Sequence, residues 1–103
     1  MPSALTTIVE AELERRGYVT LTIEGRPRYL LLVKDGSATL ALVKEGAARR
    51  IPEDLKTLAD NTGLNVVAIS RLNGSIHILQ LTLYNPKIGC VKHSTTTVSV
   101  KGG

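Results

Sequence analysis

The sequence is poor in the residues that usually build nucleobase-stacking surfaces and disulfide or zinc sites. It has no tryptophan, no phenylalanine and three tyrosines, which argues against a platform for stacking single-stranded bases. The one cysteine, Cys90, excludes an internal disulfide and a cysteine-rich zinc site. A reducing, cytoplasmic location is the natural expectation for such a chain.

Long apolar runs are also missing. None approaches the roughly 20 residues that span a bilayer, so we expect no membrane partner. The opening stretch MPSALTTIVEAELERR lacks the basic start and the cleavage signature of a secretory signal. With 103 residues, of which 43% are apolar, the chain is expected to fold around its own core.

Acidic residues are missing from the C-terminal part of the chain. Residues 85–103 contain three lysines and no aspartate or glutamate, within a net charge of +4. A basic balance permits phosphate contacts with a nucleic acid, but it leaves a direct nucleic-acid role open. We assign residues 1–84 to an α/β domain and residues 85–103 to a basic extension, in which TTTVSV could form one further strand.

The first element is predicted to be an amphipathic helix between a Ser3 cap and a terminating Gly17. Its apolar stripe follows helical spacing. The stripe consists of Leu5, Ile8, Val9 and Leu13. Three glutamates, Glu10, Glu12 and Glu14, are expected on the wetter side.

Three strands are predicted next, from YVTLTIEG, RYLLLVKDG and ATLALVKEG. In the first, Val19, Leu21 and Ile23 alternate with polar residues, so one face is expected to be buried. The segment from Lys34 to Ser37 contains Asp-Gly, a hairpin signal, and Gly25-Arg26-Pro27 is expected to form the earlier turn. The three strands should therefore form a meander.

A second helix is predicted from Pro52 to Gly63, with Leu55, Leu58 and Ala59 facing the core. Two further strands follow, LNVVAIS and SIHILQLTLY, joined by an Asn73-Gly74 turn. The predicted order is helix-strand-strand-strand-helix-strand-strand. This order indicates an α/β fold with a mixed sheet flanked by helices.

Candidate catalytic side chains are few. Cys90, His77 and His93 are the natural nucleophile and base candidates, but His77 alternates with Leu79 and Leu81 and is expected to be packed or at an edge. His93 is expected to be solvated, and no cluster of metal ligands is evident. We therefore predict no metal site and no cofactor.

Two arginine pairs could hold a phosphate, because the guanidinium fork binds two oxygens at once. Arg26 and Arg28 flank a turn, and Arg49 and Arg50 precede the second helix. Ordinary solvated loop charges are the alternative interpretation.

The order of elements, the ERRGY helix end and the stretch TLALVKEG resemble a nuclease-like fold over residues 4 to about 84. This fold is shared by archaeal Holliday-junction resolvases and the C-terminal domain of archaeal tRNA-splicing endonucleases. In the resolvases, an Asp on the second strand and Glu-x-Lys on the third hold a metal ion. The Asp falls here at Tyr29 or Leu30, and Glu-x-Lys falls at Leu42-Val43-Lys44, so the resemblance implies a resolvase-like chain without its acids.

The splicing endonucleases use a Tyr, His and Lys triad instead. The resemblance places the His within Lys34-Asp35-Gly36-Ser37 and the Lys at Asn61-Thr62-Gly63, and neither residue is present there. Some of these enzymes pair catalytic subunits with structural ones. Residues 51–84 resemble their final helix and paired strands, including the closing strand that pairs across subunits. The usual N-terminal domain does not precede the first helix, which implies a truncated form.

The resemblance therefore implies a non-catalytic structural subunit of a heteromeric tRNA-splicing endonuclease, inactive by itself. Its expected partners are a catalytic endonuclease subunit and precursor tRNA. Both faces of the last long strand are apolar, so we expect a subunit interface, or alternatively a central strand covered by helices. The interface residues are Ile78, Leu79, Leu81 and Leu83, and the nucleic-acid contacts are Arg26, Arg28, Arg49 and Arg50. The alternative function is an inactive, resolvase-like DNA-binding protein.

Overall fold

A computed structural model describes residues 4–46, 50–72 and 78–98. These residues form two helices and six strands. The helices are α1 (Ala4–Arg15) and α2 (Glu53–Thr62). The strands are β1 (Val19–Ile23), β2 (Arg26–Lys34), β3 (Ser37–Val43), β4 (Asn65–Arg71), β5 (Ile78–Asn85) and β6 (Cys90–Thr97).

The six strands form one mixed sheet in which they lie side by side in chain order. Strands β3 and β4 are parallel and are connected through α2, whereas every other neighbouring pair is antiparallel. The predicted meander of the first three strands and the mixed α/β sheet with two helices are confirmed. A further strand is present, but it runs from Cys90 to Thr97, so it includes only residues 95–97 of the expected stretch 95–100, whose last two residues lie outside the described range.

Two turns follow directly from their sequences. The β2–β3 hairpin closes at Asp35 and Gly36, which have φ angles of 51° and 77°, as the Asp-Gly signal predicts. Helix α2 ends at Gly63, whose φ of 76° places it in the left-handed region and whose N–H donates to the Ala59 carbonyl. The predicted Asn73-Gly74 turn and the Ser3 cap lie outside the described residues.

Each face of the sheet is covered by one helix. Helix α1 packs Leu5 and Val9 onto one face, where they join alternate residues of β2 to β5 in a buried cluster. Helix α2 packs Leu55 and Ala59 onto the other face, against residues of β3 and β4 and Tyr84 of β5. The two central strands are consequently covered on both sides.

The edge strand β1 differs from its prediction. Val19 and Leu21 were expected to be buried, but they are 57% and 48% exposed. They lie on the α2 side of the sheet, as their pairing with Val33 and Leu31 shows. Helix α2 packs mainly against β4 and β5, and of this strand only Ile23 packs against the cluster beneath α2, so the expectation of a buried β1 face was wrong for Val19 and Leu21.

A second correction concerns Glu12, which was expected on the wetter side of α1 and is only 4% exposed. Its carboxylate accepts hydrogen bonds from Arg15 Nη2 at 2.6 and 2.8 Å and from Arg16 Nε at 2.7 Å. Arg16 also donates through Nη2 to Thr96 Oγ1 at 2.6 Å. A glutamate that is paired in this way can lie against the sheet, and it orients the arginine that joins α1 to β6.

We predict that Glu12→Gln lowers the free energy of unfolding by about 1–3 kcal/mol, because neutralising the carboxylate weakens charge-assisted hydrogen bonds to both arginines. Urea unfolding followed by circular dichroism measures the change. Glu10→Gln, on the same helix, is the control and should change stability by no more than about 0.5 kcal/mol. Equal losses in the two variants would show that the buried pairing contributes nothing.

Candidate functional site

The carboxyl ends of the parallel strands β3 and β4 form the part of the sheet most suited to a binding site. Val43 is paired with Ile69, and the next residue, Lys44, donates its N–H to the Ile69 carbonyl at 2.8 Å. Because α2 follows β3 in the chain and returns to the start of β4, its N-terminus lies at this same end. We call this region the parallel end.

The positions at which the resolvase acids would fall lie side by side here. Tyr29 on β2 pairs directly with Leu42 on β3, and Leu30 is the next residue along β2. Leu30 is fully buried under α1, whereas Tyr29 and Leu42 pack against the α2 cluster. The register therefore brings together the positions that the resemblance singles out, and apolar and aromatic side chains fill them.

Carboxylates and other possible ligands do not gather elsewhere in the described ranges. Across these ranges, no three histidine, cysteine, aspartate or glutamate side chains lie close enough together to hold a metal ion. Asp35 lies in the β2–β3 turn, whereas Glu45 follows Lys44 at the opposite end of the sheet.

Three of the four predicted nucleic-acid residues are described, and all three are exposed: Arg26, Arg28 and Arg50. Arg49 lies outside the described residues. Arg26 and Arg28 are at the start of β2, which is antiparallel to β3, so they lie at the parallel end. The Arg26 guanidinium is 5.5 Å from the centroid of the Tyr29 ring, a cation–π contact that favours one orientation of the arginine.

Lys44 and Arg71 add two further cations to the parallel end, because they follow or end the two parallel strands. Acidic residues are interspersed with them. These acids are Glu24, Glu45, Glu53 and Asp54. The parallel end thus has a small basic excess, suited to contacts with a phosphate backbone and too mixed for a strong general attraction.

A buried serine at this end was not predicted from the sequence. Ser70 is fully buried, and its Oγ has no hydrogen-bond partner among the described parts of the chain. It follows Ile69 on β4 and pairs across the sheet with Gln80. The sequence feature that could have indicated this buried serine is its place at the end of the apolar run NVVAIS.

The predicted interface residues of β5 differ in their exposure. Leu79 is 4% exposed and belongs to the α1 cluster, Ile78 and Leu81 are half-buried, and Leu83 is 36% exposed. Strand β5 is flanked by β4 and β6, so both of its backbone edges are used within the chain. A partner that contacts this strand would therefore meet its face near Leu83, and it could not extend the sheet from β5.

The cysteine and histidine of β6 do not form a pair. Cys90 and His93 are both exposed and are three residues apart on a strand, so their side chains point to opposite faces. His93 Nδ1 lies 3.2 Å from Thr82 Oγ1. The other histidine, His77, lies outside the described residues.

Tyr84 has a raised pKa. Its hydroxyl donates to Asp60 Oδ1 at 2.9 Å. This hydrogen bond, together with burial and the negative charge of Asp60, raises the pKa of Tyr84 above its ordinary value. The contact joins β5 to α2, so it is a structural link rather than a reactive group.

We predict that this link makes stability depend on alkaline pH. A raised pKa in the folded state contributes stability that is present below about pH 10, the value for an unfolded tyrosine, and is lost as the pH rises through the folded value. Tyr84→Phe should therefore flatten the decline in the urea midpoint between about pH 9 and pH 11. Tyr29→Phe is the control and should leave the decline unchanged; a steep decline in Tyr84→Phe would contradict the assignment.

Comparison with known proteins gives no family. No model of a protein family matches the sequence, and no curated protein is significantly similar to it. Separately, neither helix in the described ranges has the length and apolar character needed to cross a membrane.

Proposed function

We propose that the chain is a non-catalytic subunit with a nuclease-like α/β architecture, which supports a catalytic tRNA-splicing endonuclease subunit and contributes to RNA binding. The observation that carries the proposal is the content of the parallel end. Tyr29 and Leu42 are paired on β2 and β3, and Lys44 comes directly after β3, so the lysine is the one residue of the resolvase-type set that remains. Leucine offers no ligand to a cation and no group that transfers a proton.

The basic residues around the parallel end support a role in holding RNA. Arg26, Arg28 and Arg50 are exposed, and arginine binds phosphate oxygens through paired N–H donors. With few aromatic residues available, recognition would depend on backbone contacts rather than on base stacking. Such contacts position a nucleic acid and leave the reaction to the partner subunit.

The exposed apolar side chains near β5 and β6 support a role in assembly. Leu83 and Ile88 are 36% and 72% exposed. Leu83 and Ile88 also line a shallow pocket together with Asn65 and Lys92. An apolar patch with a polar rim is the usual composition of a subunit contact.

We predict that removing the arginines weakens RNA binding by the complex of this chain with its catalytic partner. The double variant Arg26→Ala/Arg28→Ala should lower affinity for precursor tRNA and reduce the slope of log affinity against log salt by about one per arginine. Filter binding at several salt concentrations measures both quantities. The control is Lys87→Ala, which removes one exposed cation at the opposite end of the sheet; an equal effect per cation there would remove the basis for an RNA surface at the parallel end.

The proposed function itself is tested by the native mass of the complex that contains this chain, isolated from its own cells. We expect co-purification with a second, triad-bearing subunit that cleaves precursor tRNA, and no cleavage by this chain alone. A homodimer that binds four-way DNA junctions more tightly than precursor tRNA would support the resolvase-like alternative instead. Metal-dependent cleavage by the isolated chain, abolished by Lys44→Ala, would overturn both.

A further inference from the structure

The sheet has two open edges, and they differ in how strongly they resist pairing. Strand β6 carries Lys92, and a charged side chain on an edge strand disfavours the addition of another strand. Strand β1, from Val19 to Ile23, carries no charge and no proline. Of the two edges in the described part of the chain, β1 is therefore the one open to pairing.

The side chains of β1 are exposed because neighbours cover them on one side only. Val19 and Leu21 are 57% and 48% exposed. On the inner side they lie beside Val33 and Leu31 of β2, and on the outer side the described chain places no strand. A further strand would cover their outer flanks, because directly opposed side chains in a sheet have Cβ atoms about 5 Å apart.

The sequence of β1 is nearly the same in both directions. It reads Val-Thr-Leu-Thr-Ile from Val19 to Ile23. In an antiparallel pair centred on Leu21, that residue would oppose its own copy. Val19 would oppose Ile23, and Thr20 would oppose Thr22, so apolar side chains would meet on one face and threonines on the other. A strand that complements itself in this way meets the requirement for a two-fold symmetric contact.

We propose that a second copy of this chain pairs with β1 in the antiparallel direction, about a two-fold axis at Leu21. The two sheets then form one continuous sheet. The contact is independent of the proposed function, because it requires neither RNA nor a catalytic partner.

The charges at the ends of the strand complement each other in this arrangement. Continuing the register places Glu24 of one copy opposite Tyr18 of the second copy. The Lys34 ammonium lies 5.0 Å from the centroid of the Tyr18 ring, so each acidic end of β1 faces a cation of the other copy. The same lysine donates to the Arg16 carbonyl at 2.9 Å, which fixes its position at that end.

The geometry of β1 leaves the pairing edge accessible. Helix α1 contacts β1 from one face, where Thr20 Oγ1 donates to Glu14 Oε1 at 3.0 Å. The irregularity in the β1–β2 register falls between Thr22 and Ile23, at the end of the strand. The residues from Val19 to Thr22 therefore keep a regular strand geometry on the side that the second copy would occupy.

The test is the oligomeric state of the full chain, measured by sedimentation equilibrium over a range of concentrations. The unchanged chain should form dimers, and Leu21→Lys should raise the dimer dissociation constant about tenfold or more, because it places two like charges at the two-fold axis. Val91→Lys is the matched control, since Val91 is 46% exposed and lies on the other edge strand. The dimer dissociation constant of this variant should equal that of the unchanged chain. A monomer at every concentration, or equal weakening by the two variants, would overturn the proposal.

The register is tested separately by cross-linking in a Cys90→Ser background, which removes the exposed native thiol. Leu21→Cys should give a disulfide-linked dimer on mild oxidation, because the two copies of this position oppose each other at the axis. Val19→Cys should give little disulfide-linked dimer, because the two copies of residue 19 are offset by four residues along the paired strands. Cross-linking that is faster at Val19→Cys would contradict the pairing centred on Leu21.

Discussion

The structure depends on one constraint: within the described ranges, a six-stranded sheet has a single helix on each face. One helix covers the central strands and leaves the edges bare, so burial falls from the middle of the sheet outward. Ala41 and Val67 in the central strands are almost completely buried, whereas Val19 on β1 and Val91 on β6 are about half exposed. The surfaces available for binding are therefore the two edges and the two ends of the sheet.

Polar contacts join the helices to the sheet beyond the reach of the apolar clusters. Glu12 orients Arg16, which donates to Thr96 of β6, and the Tyr84 hydroxyl connects β5 to Asp60 of α2. Contacts of this kind add little net stability when they are exposed, but a partly buried charge-assisted bond adds more and specifies geometry. These contacts fix the orientation of each helix on the sheet.

The local elements were predictable from sequence because their signals are local. The helical spacing of Leu5 and Val9, the Asp35-Gly36 turn and the left-handed Gly63 each act within a few residues. The burial of Glu12 was not predicted, although position 12 continues the apolar stripe, because a glutamate is expected at the surface unless it is paired, and its pairing with two arginines depends on the folded geometry. The exposure of β1 could not be read from its alternation, since which strands α2 covers is decided by the β3–α2–β4 crossover.

The basic parallel end and the β1 edge are two separate surfaces of the sheet. Arg26 and Arg28 were predictable as exposed cations, but only the register shows that they lie at the end where β3 and β4 finish, beside Lys44. The uncharged edge of β1 runs along the side of the sheet. A nucleic acid bound by the arginines and a second copy paired through Leu21 would therefore use different groups, the first depending on phosphate charge and the second on backbone hydrogen bonds and apolar contact. Salt should weaken the first much more than the second, because screening acts on charge and not on apolar burial.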